Sequence, residues 1–393
     1  MPQPLRTVGG GYVYVEAPRT LTVRGRTFLF GTPIFVWRTR DPKDGITNID
    51  STTSPARRFA GLRLERSGRV TPIPGPAGGP LTYLRVGLDA KGLAHAIWSP
   101  LPDSGQANSS LVHSTFDGQA WTPPEPIPNL PPHRWDTNSQ SEVFAVDSGI
   151  ATIVVGWSRE GKHRALYLLS NRATRWSVQT IALQSPPAYT RALATGHDIV
   201  IAYVAANSEA LTDDRNSVFV RRMAGTSPSP SRPILVFGSG DGEAHAPVLV
   251  RDPRGPLYLL WRQENRSPQS SHRILLSMSR DSGHTWTAPV TLGSTSSRFY
   301  AAGVVGLRIP LIVAAGAPSS SARVRLWEVR GSAVKAIEQT WPSEFPMSLS
   351  QIGEADLLLS LTVTNRLDSP LGGQDIPRTT VVRWTGCRRT TGS

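Results

Sequence analysis

The apolar residues of this chain come in short runs separated by polar turns, and the runs recur in a fixed order. YLRVGLDAKGLAHAIW (83–98), VFAVDSGIATIVVGW (143–157) and VLVRDPRGPLYLLW (248–261) each hold an apolar run, an Asp-containing turn with Gly, and a second run ending in Trp. Asp and Gly supply turn chemistry, while Val, Ile, Leu and Tyr suit a pleated, half-buried surface, so each stretch predicts a β-hairpin. A polar loop and another pair of runs follow each: LVHSTF with DGQAW and TPPEPI, HRALYLLS with NRATRW and SVQTIA, RILLSMS with RDSGHTW and TAPVTL. Each unit therefore predicts four strands.

Weaker copies keep the order without the tryptophan: RALATGHDIVIAYVAA with SVFVRRMAG, FYAAGVVGLRIPLIVAAG with ARVRLWEVRG, and MSLSQIGEADLLLSLTVT with TTVVRWTG. A further copy opens the chain, RTLTVRGRTFLFGTPIFVW followed by RRFAGLRLERSGRVTPI. From second-strand ends at Trp37, Trp98, Trp157, Tyr203 and Trp261 the period is about 46 to 61 residues, the range of propeller blades. The expectation is an all-β, single-domain β-propeller with units at about 19–75, 83–127, 141–182, 190–236, 245–292, 297–341 and 346–387. That counts seven, with six as the alternative. The last unit lacks a fourth strand, and GYVYVEA (11–17) is expected to supply it, because an open ring would leave two unpaired sheet edges. A β-sandwich or a pair of β domains is the competing architecture.

Composition agrees with many turns: 35 Gly and 34 Pro in 393 residues. The 42 Lys+Arg against 29 Asp+Glu give +13, but the basic residues are scattered rather than clustered with aromatics. General attraction to anionic ligands is expected, and nucleic acid is not. Cys387 is the one cysteine, which excludes a disulfide framework and a thiolate zinc site, and the histidines lie too far apart for local ligation. No metal or cofactor is expected. The start lacks a signal-peptide pattern and no apolar run approaches the roughly 20 residues of a membrane span, so the chain as it stands reads as soluble, and as a monomer. GSGDGEAH (238–245) lacks the Gly-Lys-Ser/Thr ending of a phosphate loop and reads as a connection between units. The sequons at Asn108 and Asn265 fall in second-to-third-strand loops.

SRDSGHTW (279–286) falls between the third and fourth strands of its unit. Asp281 is placed to accept the turn's N–H groups, Gly283 to take the corner, Thr285 to restart the strand, and Trp286 to pack within or between units. Ser279-x-Asp281-x-Gly283-x-Thr285-Trp286 resembles the Asp-box, or BNR repeat, of the sialidase family. Ser114, Asp117, Gly118 and Trp121 form a degenerate copy with the acid moved one place, and Trp176 remains of a third. The resemblance implies a propeller in which these boxes lie on the face opposite the active site, so Asp281 is structural rather than catalytic.

That family grips a substrate carboxylate with three arginines, the first in an Arg-Ile-Pro motif on the first blade, and uses a Tyr–Glu pair as nucleophile with an Asp as acid/base. Here the first unit lacks the motif, and Arg308-Ile309-Pro310 stands in the sixth unit. No tyrosine follows Tyr300, and seven units exceed the family's six. On a propeller, Arg85, Arg191 and Arg298 fall on channel-lining first strands, while Asp136, Asp241, Glu243, His245 and Tyr300 fall in or just beyond inter-blade segments. Inner-rim arginines that merely pair with neighbouring acids are the plainer alternative. Trp135 is expected either as a sugar platform at the mouth or as a loop anchor. The leading expectation is a sialidase-like propeller binding a glycan or other anionic ligand, without the full catalytic set. The alternatives are an exo-glycosidase with Tyr300 and Glu243 as nucleophilic pair and Asp136 as acid/base, and a protein-interaction scaffold.

Overall fold

A computed structural model describes residues 3–4, 12–15, 19–31, 34–37, 60–65, 69–76, 81–100, 110–135, 142–147, 149–158, 164–183, 187–206, 216–224, 231–238, 242–265, 272–295, 302–304, 310–316, 323–330, 333–342, 345–351, 357–367 and 374–384. Among these residues all regular structure is strand, and no helix is long and apolar enough to cross a membrane.

The turns divide the chain into antiparallel meanders. Asp89 shows how: its Oδ1 accepts the N–H groups of Lys91 and Leu93, and Gly92 turns the corner at φ 76°. Asp252 repeats the device, with Oδ1 accepting from Arg254 N and Gly255 at φ 124°. A short acceptor at the first turn position and a glycine where φ is positive close a hairpin locally, so the strands beside them pair in sequence order.

Among the described residues the pairing yields seven sheets of four or five strands and one two-stranded pair. The first sheet holds Arg19–Val23, Arg26–Gly31, Ala60–Leu64 and Val70–Ile73. The second holds Leu81–Leu88, Ala94–Pro100, Val112–Phe116 and Glu125–Pro126. In the third, Gly149–Trp157, Arg164–Arg172 and Arg175–Ile181 follow an inner edge made of two pieces, Arg134–Trp135 and Phe144–Val146. The fourth holds Pro187–Thr195, Asp198–Ala206, Asn216–Ala224 and Ile234–Phe237, and the fifth Gly242–Arg251, Leu257–Asn265, His272–Ser279 and Val290–Thr295. Ala302–Val304, Leu311–Gly316, Arg323–Arg330 and Ala333–Pro342 make the sixth. The seventh joins Phe345–Gln351, Leu357–Leu367 and Gln374–Trp384 to the N-terminal Gln3–Pro4.

Two expectations need correction. The strand paired with Gln374–Trp384 is Gln3–Pro4, in register Gln3↔Val381, and not residues 11–17. Tyr12–Val15 pairs with Ile34–Trp37 instead. The first sheet's second strand accordingly ends at Gly31, short of Trp37.

The sheets pack face to face around an axis. The first strand of each sheet touches the first strand of the next in chain order, and Phe345–Gln351 touches Arg19–Val23. The apolar core lies between sheets rather than in one centre: Ile153, Val155 and Leu166 of the third sheet meet Ile199, Ile201 and Tyr203 of the fourth. Val200, Val204 and Val220 of the fourth meet Leu257, Leu259 and Trp261 of the fifth. Strand alternation makes this possible, because the odd and even positions of each central strand serve two different neighbours.

Candidate functional site

Hairpin order gives the ring two unlike faces. Turns between first and second strands, and between third and fourth, lie at one end of the sheets; the loops joining second to third strands and sheet to sheet lie at the other. Pro187–Thr195 and Gly242–Arg251 both start at this second end, the mouth, and each carries a bulge there, between Pro187 and Tyr189 and between His245 and Val248. Ala246, inside the second bulge, has φ 47°. A non-glycine residue at positive φ costs energy, and bulges that re-aim side chains cluster at sites of function.

The bulges bring a polar cluster together. Glu243 stands opposite Glu264 across the ladder, and His245 opposite Arg262. His245 Nε2 lies 3.2 Å from Glu243 Oε2 and 3.7 Å from Glu264 Oε2, and Arg262 pairs with Glu264. The Tyr189 ring meets the imidazole edge-on at 5.8 Å between centroids and 69°. Arg191 follows Tyr189 by two residues, on the same side of its strand. His245 is 15% exposed. Burial lowers its pKa below the ordinary 6.5, Arg262 pushes the same way, and Glu264 and Glu243 oppose them, so the ring is neutral at neutral pH. With Nε2 donating to Glu243, Nδ1 must carry the lone pair. That nitrogen is buried and has no hydrogen-bond partner among the described residues.

Of the residues expected at a site, Glu243 and His245 come together here, and Arg191 stands on the neighbouring strand two residues beyond Tyr189. Asp136, Asp241, Arg298 and Tyr300 lie outside the described residues, as do Arg308 and Ile309. Arg85 sits mid-strand in the second sheet, half-buried, with Nη1 donating to Leu84 O at 2.8 Å. Trp135 is 8% exposed, pairs with Gly156, and meets the Tyr167 ring edge-on at 5.8 Å. His133 Nε2 and Tyr167 OH close the same group at 2.7 Å. Trp135 is therefore an interior anchor, and its face is not offered to a sugar. Tyr189, Arg262 and Glu264 were not singled out from sequence; the signal that could have found them is the pairing of 243 and 245 with 264 and 262 across one hairpin. Arg19 and Glu142 were missed too, an ion pair of 2.6 Å linking the first and third sheets. Among the described residues no group of three or more His, Cys, Asp or Glu could hold a metal ion.

The 279–286 turn lies at the opposite end of the fifth sheet, a strand's length from Glu264. Ser279 Oγ donates to Asp281 Oδ1 and accepts from Gly283 N, while Thr285 N–H and Oγ–H donate to the two oxygens of Asp281. These donors hold the Asp281 carboxyl far below the usual carboxylate range. Gly283 turns at φ 90° against Val200 of the fourth sheet, and Trp286 packs on the apolar layer between the two sheets. Asp281 is fully engaged in holding a turn.

No protein-family model and no curated protein matches this sequence. Solved structures do match. A PL25 ulvan lyase bound to -[GlcA(1-4)Rha3S]- superposes with TM-score 0.53 at 10% identity, over 96% of this chain and 92% of its own. A protein of unknown function from Dyadobacter fermentans gives 0.50 at 14%, over 97% of each chain. The α-L-arabinofuranosidase Arb93A of Fusarium graminearum gives 0.50 at 12%, over 77% of this chain and 93% of its own. The fold is a β-propeller. At such identities the likeness carries the architecture of four-stranded blades, and the chemistry has to come from this propeller's own side chains.

Proposed function

We propose that this propeller binds acidic glycans at its mouth, in a site centred on His245. The observation that carries the reading is the cluster of Tyr189, Glu243, His245, Arg262 and Glu264 on the first strands of the fourth and fifth sheets and the second strand of the fifth, at the end away from the turns, with Arg191 two residues beyond Tyr189. Guanidinium groups suit a sugar carboxylate, and an aromatic beside them suits a pyranose face. The names of the lyase and the arabinofuranosidase, both enzymes acting on polysaccharide or glycoside, lend support by analogy of fold.

The reading includes one domain of seven blades, closed by the chain ends, with blades near the seven sequence units. The contact order of first strands and the Gln3–Pro4 pairing support it, and a six-blade ring would leave one sheet over. It also takes 279–286 as an Asp-box, supported by the Ser279–Asp281–Thr285 hydrogen bonds. The second functional reading, a sialidase-type exo-glycosidase, is supported by the arginines on first strands, but Glu243 faces a histidine among the described residues. An interaction scaffold has less behind it: among the described residues the exposed large apolar side chains are Leu235 and Val290, on outer strands of two sheets.

Affinity electrophoresis through acidic and neutral polysaccharides tests the proposal. The chain should be retarded by alginate or hyaluronan and not by dextran, and Arg191→Ala should weaken that binding by about 1.5–3 kcal/mol if a charge-assisted pair is lost. Equal migration in acidic and neutral gels would sink the glycan reading and promote the scaffold.

A further inference from the structure

We infer that His245 is a general base that removes the C5 proton of a 4-linked uronic acid, making this propeller a polysaccharide β-eliminase. The inference rests on the acidic-glycan reading and assigns its chemistry.

Three observations carry it. The imidazole is oriented by a carboxylate: Nε2 is committed to Glu243 at 3.2 Å, which leaves the Nδ1 lone pair as the basic site. Nδ1 is a buried polar atom without a hydrogen-bond partner among the described residues, a costly arrangement unless a ligand or substrate completes it. Both carboxylates of the cluster are already engaged, Glu243 with His245 and Glu264 with Arg262. Glycoside hydrolysis needs one carboxyl as acid and a second as base or nucleophile, and this pair offers neither in a free state. A neutral histidine flanked by a phenol and cations suits elimination instead, because it abstracts a carbon acid's proton while the cations hold the substrate carboxylate.

His245 Nδ1 takes the proton from C5, which is acidified by the adjacent carboxylate, whose developing negative charge Arg191 and Arg262 oppose. The C5–H electron pair becomes the C4–C5 double bond, and the bond from C4 to the departing glycosidic oxygen breaks. That oxygen takes a proton from the Tyr189 hydroxyl, and His245 returns its proton to Tyr189 through solvent. No water, oxidant or metal is consumed. The products are an unsaturated uronate at one new end and a free hydroxyl on the other sugar. Glu243 is a positioning residue: it fixes the tautomer and supports the imidazolium once formed.

The test incubates the full chain with alginate, polygalacturonate and hyaluronan, and follows binding, ultraviolet absorbance of the unsaturated uronate, and new reducing ends. Absorbance and reducing ends should rise together on at least one polymer, and a carboxyl-reduced polymer should give neither. His245→Ala should lower the rate at least about 100-fold, with added imidazole restoring part of it. Glu243→Gln should slow the reaction and move the acid limb of its pH profile to lower pH, because a charge that raises the His245 pKa is gone. A purely structural role would leave that limb in place. Reducing ends without absorbance would mean hydrolysis and overturn elimination. Binding without either product would also overturn it while the acidic-glycan reading stands. Absence of binding to all three polymers, by chains that melt cooperatively, would overturn both.

Discussion

Two turns at the end of the sheets away from the mouth do the same job with different fillings. In the second sheet, Ser114 Oγ donates to Thr122 O at 2.7 Å and Thr122 Oγ1 accepts from Thr115 N at 2.9 Å. In the fifth, Ser277 Oγ donates to Thr287 O at 2.7 Å and Thr287 Oγ1 accepts from Met278 N at 3.1 Å. The serine equivalent to Ser114 is therefore Ser277, and Ser279 of the eight-residue motif corresponds to Phe116. A hydroxyl latch frames both turns, with Trp121 or Trp286 packed inside the neighbouring sheet boundary. Within the frame one turn has an aromatic filling beside its surface carboxylate: Phe116 is buried against Phe28, Phe30 and Trp121. The other is polar, wired through Ser279 and Asp281. The frame specifies the hairpin; its filling is exchangeable as long as every buried N–H keeps an acceptor.

The sharpest way to break the comparison is Phe116→Ala. It empties an aromatic cluster and should cost about 3–5 kcal/mol by chemical denaturation. No single deletion in the polar turn should cost as much.

Acid should separate the two sheets next. His113 and His95, on the second sheet's middle strands, stack with Nε2 and Nδ1 2.9 Å apart, and His95 lies 3.3 Å from Asp89. Thr115 and Trp176 complete their surroundings. Burial lowers both pKa values, His113 to about 4 with help from the His95 charge. The folded state therefore resists protons that the unfolded chain accepts below about 6.5, and stability falls as pH drops from there toward 4. At about 1.4 kcal/mol per pH unit the loss from His113 reaches about 3 kcal/mol. His113→Gln should flatten the slope of melting temperature against pH across this window. Asp281 contributes nothing there: its depressed pKa keeps it ionised until well below 3.8, so the polar turn should outlast the second sheet in acid. Hydrogen exchange at pH 4.5 that opened Gly283 before Thr115 would reverse this order.

Smaller effects discriminate within the polar turn. Ser279→Ala leaves the Gly283 N–H without its acceptor in a buried position and should cost about 1–3 kcal/mol. Asp281→Ala, at an exposed position, should cost less, about 1 kcal/mol. Asp117→Ala should shift the melting temperature least, since that carboxylate accepts from Gln119 N and Ala120 N on the surface. None of these variants should change polysaccharide binding, because the mouth is a strand's length away.

Local chemistry was legible before any coordinates. The hairpins at 83–98, 143–157 and 248–261 announce themselves through Asp–Gly turns between β-branched runs, and each strand pair is found where those turns place it. Trp135 was harder. A tryptophan beside charged residues reads equally as platform or anchor, and only its pairing with Gly156 and its contact with Tyr167 show the anchor.

By itself the sequence determined what depends on neighbours a few residues apart: strand alternation, turn acceptors, the positive-φ glycine at 283, and the four-strand rhythm. Tertiary structure alone decided which N-terminal strand pairs with Gln374–Trp384. Tyr12–Val15 has the better strand pattern, yet Gln3–Pro4 takes the edge, since the choice depends on chain reach and on a rival partner at Ile34–Trp37. It also decided the site. Glu243 and Glu264 are 21 positions apart and His245 is aimed by a bulge whose Ala246 carries the strain, so neither spacing nor composition could reveal that one imidazole gathers both carboxylates. Register and bulge are set by the packing of whole sheets, and a proton-transfer site is built from distances that only such packing fixes.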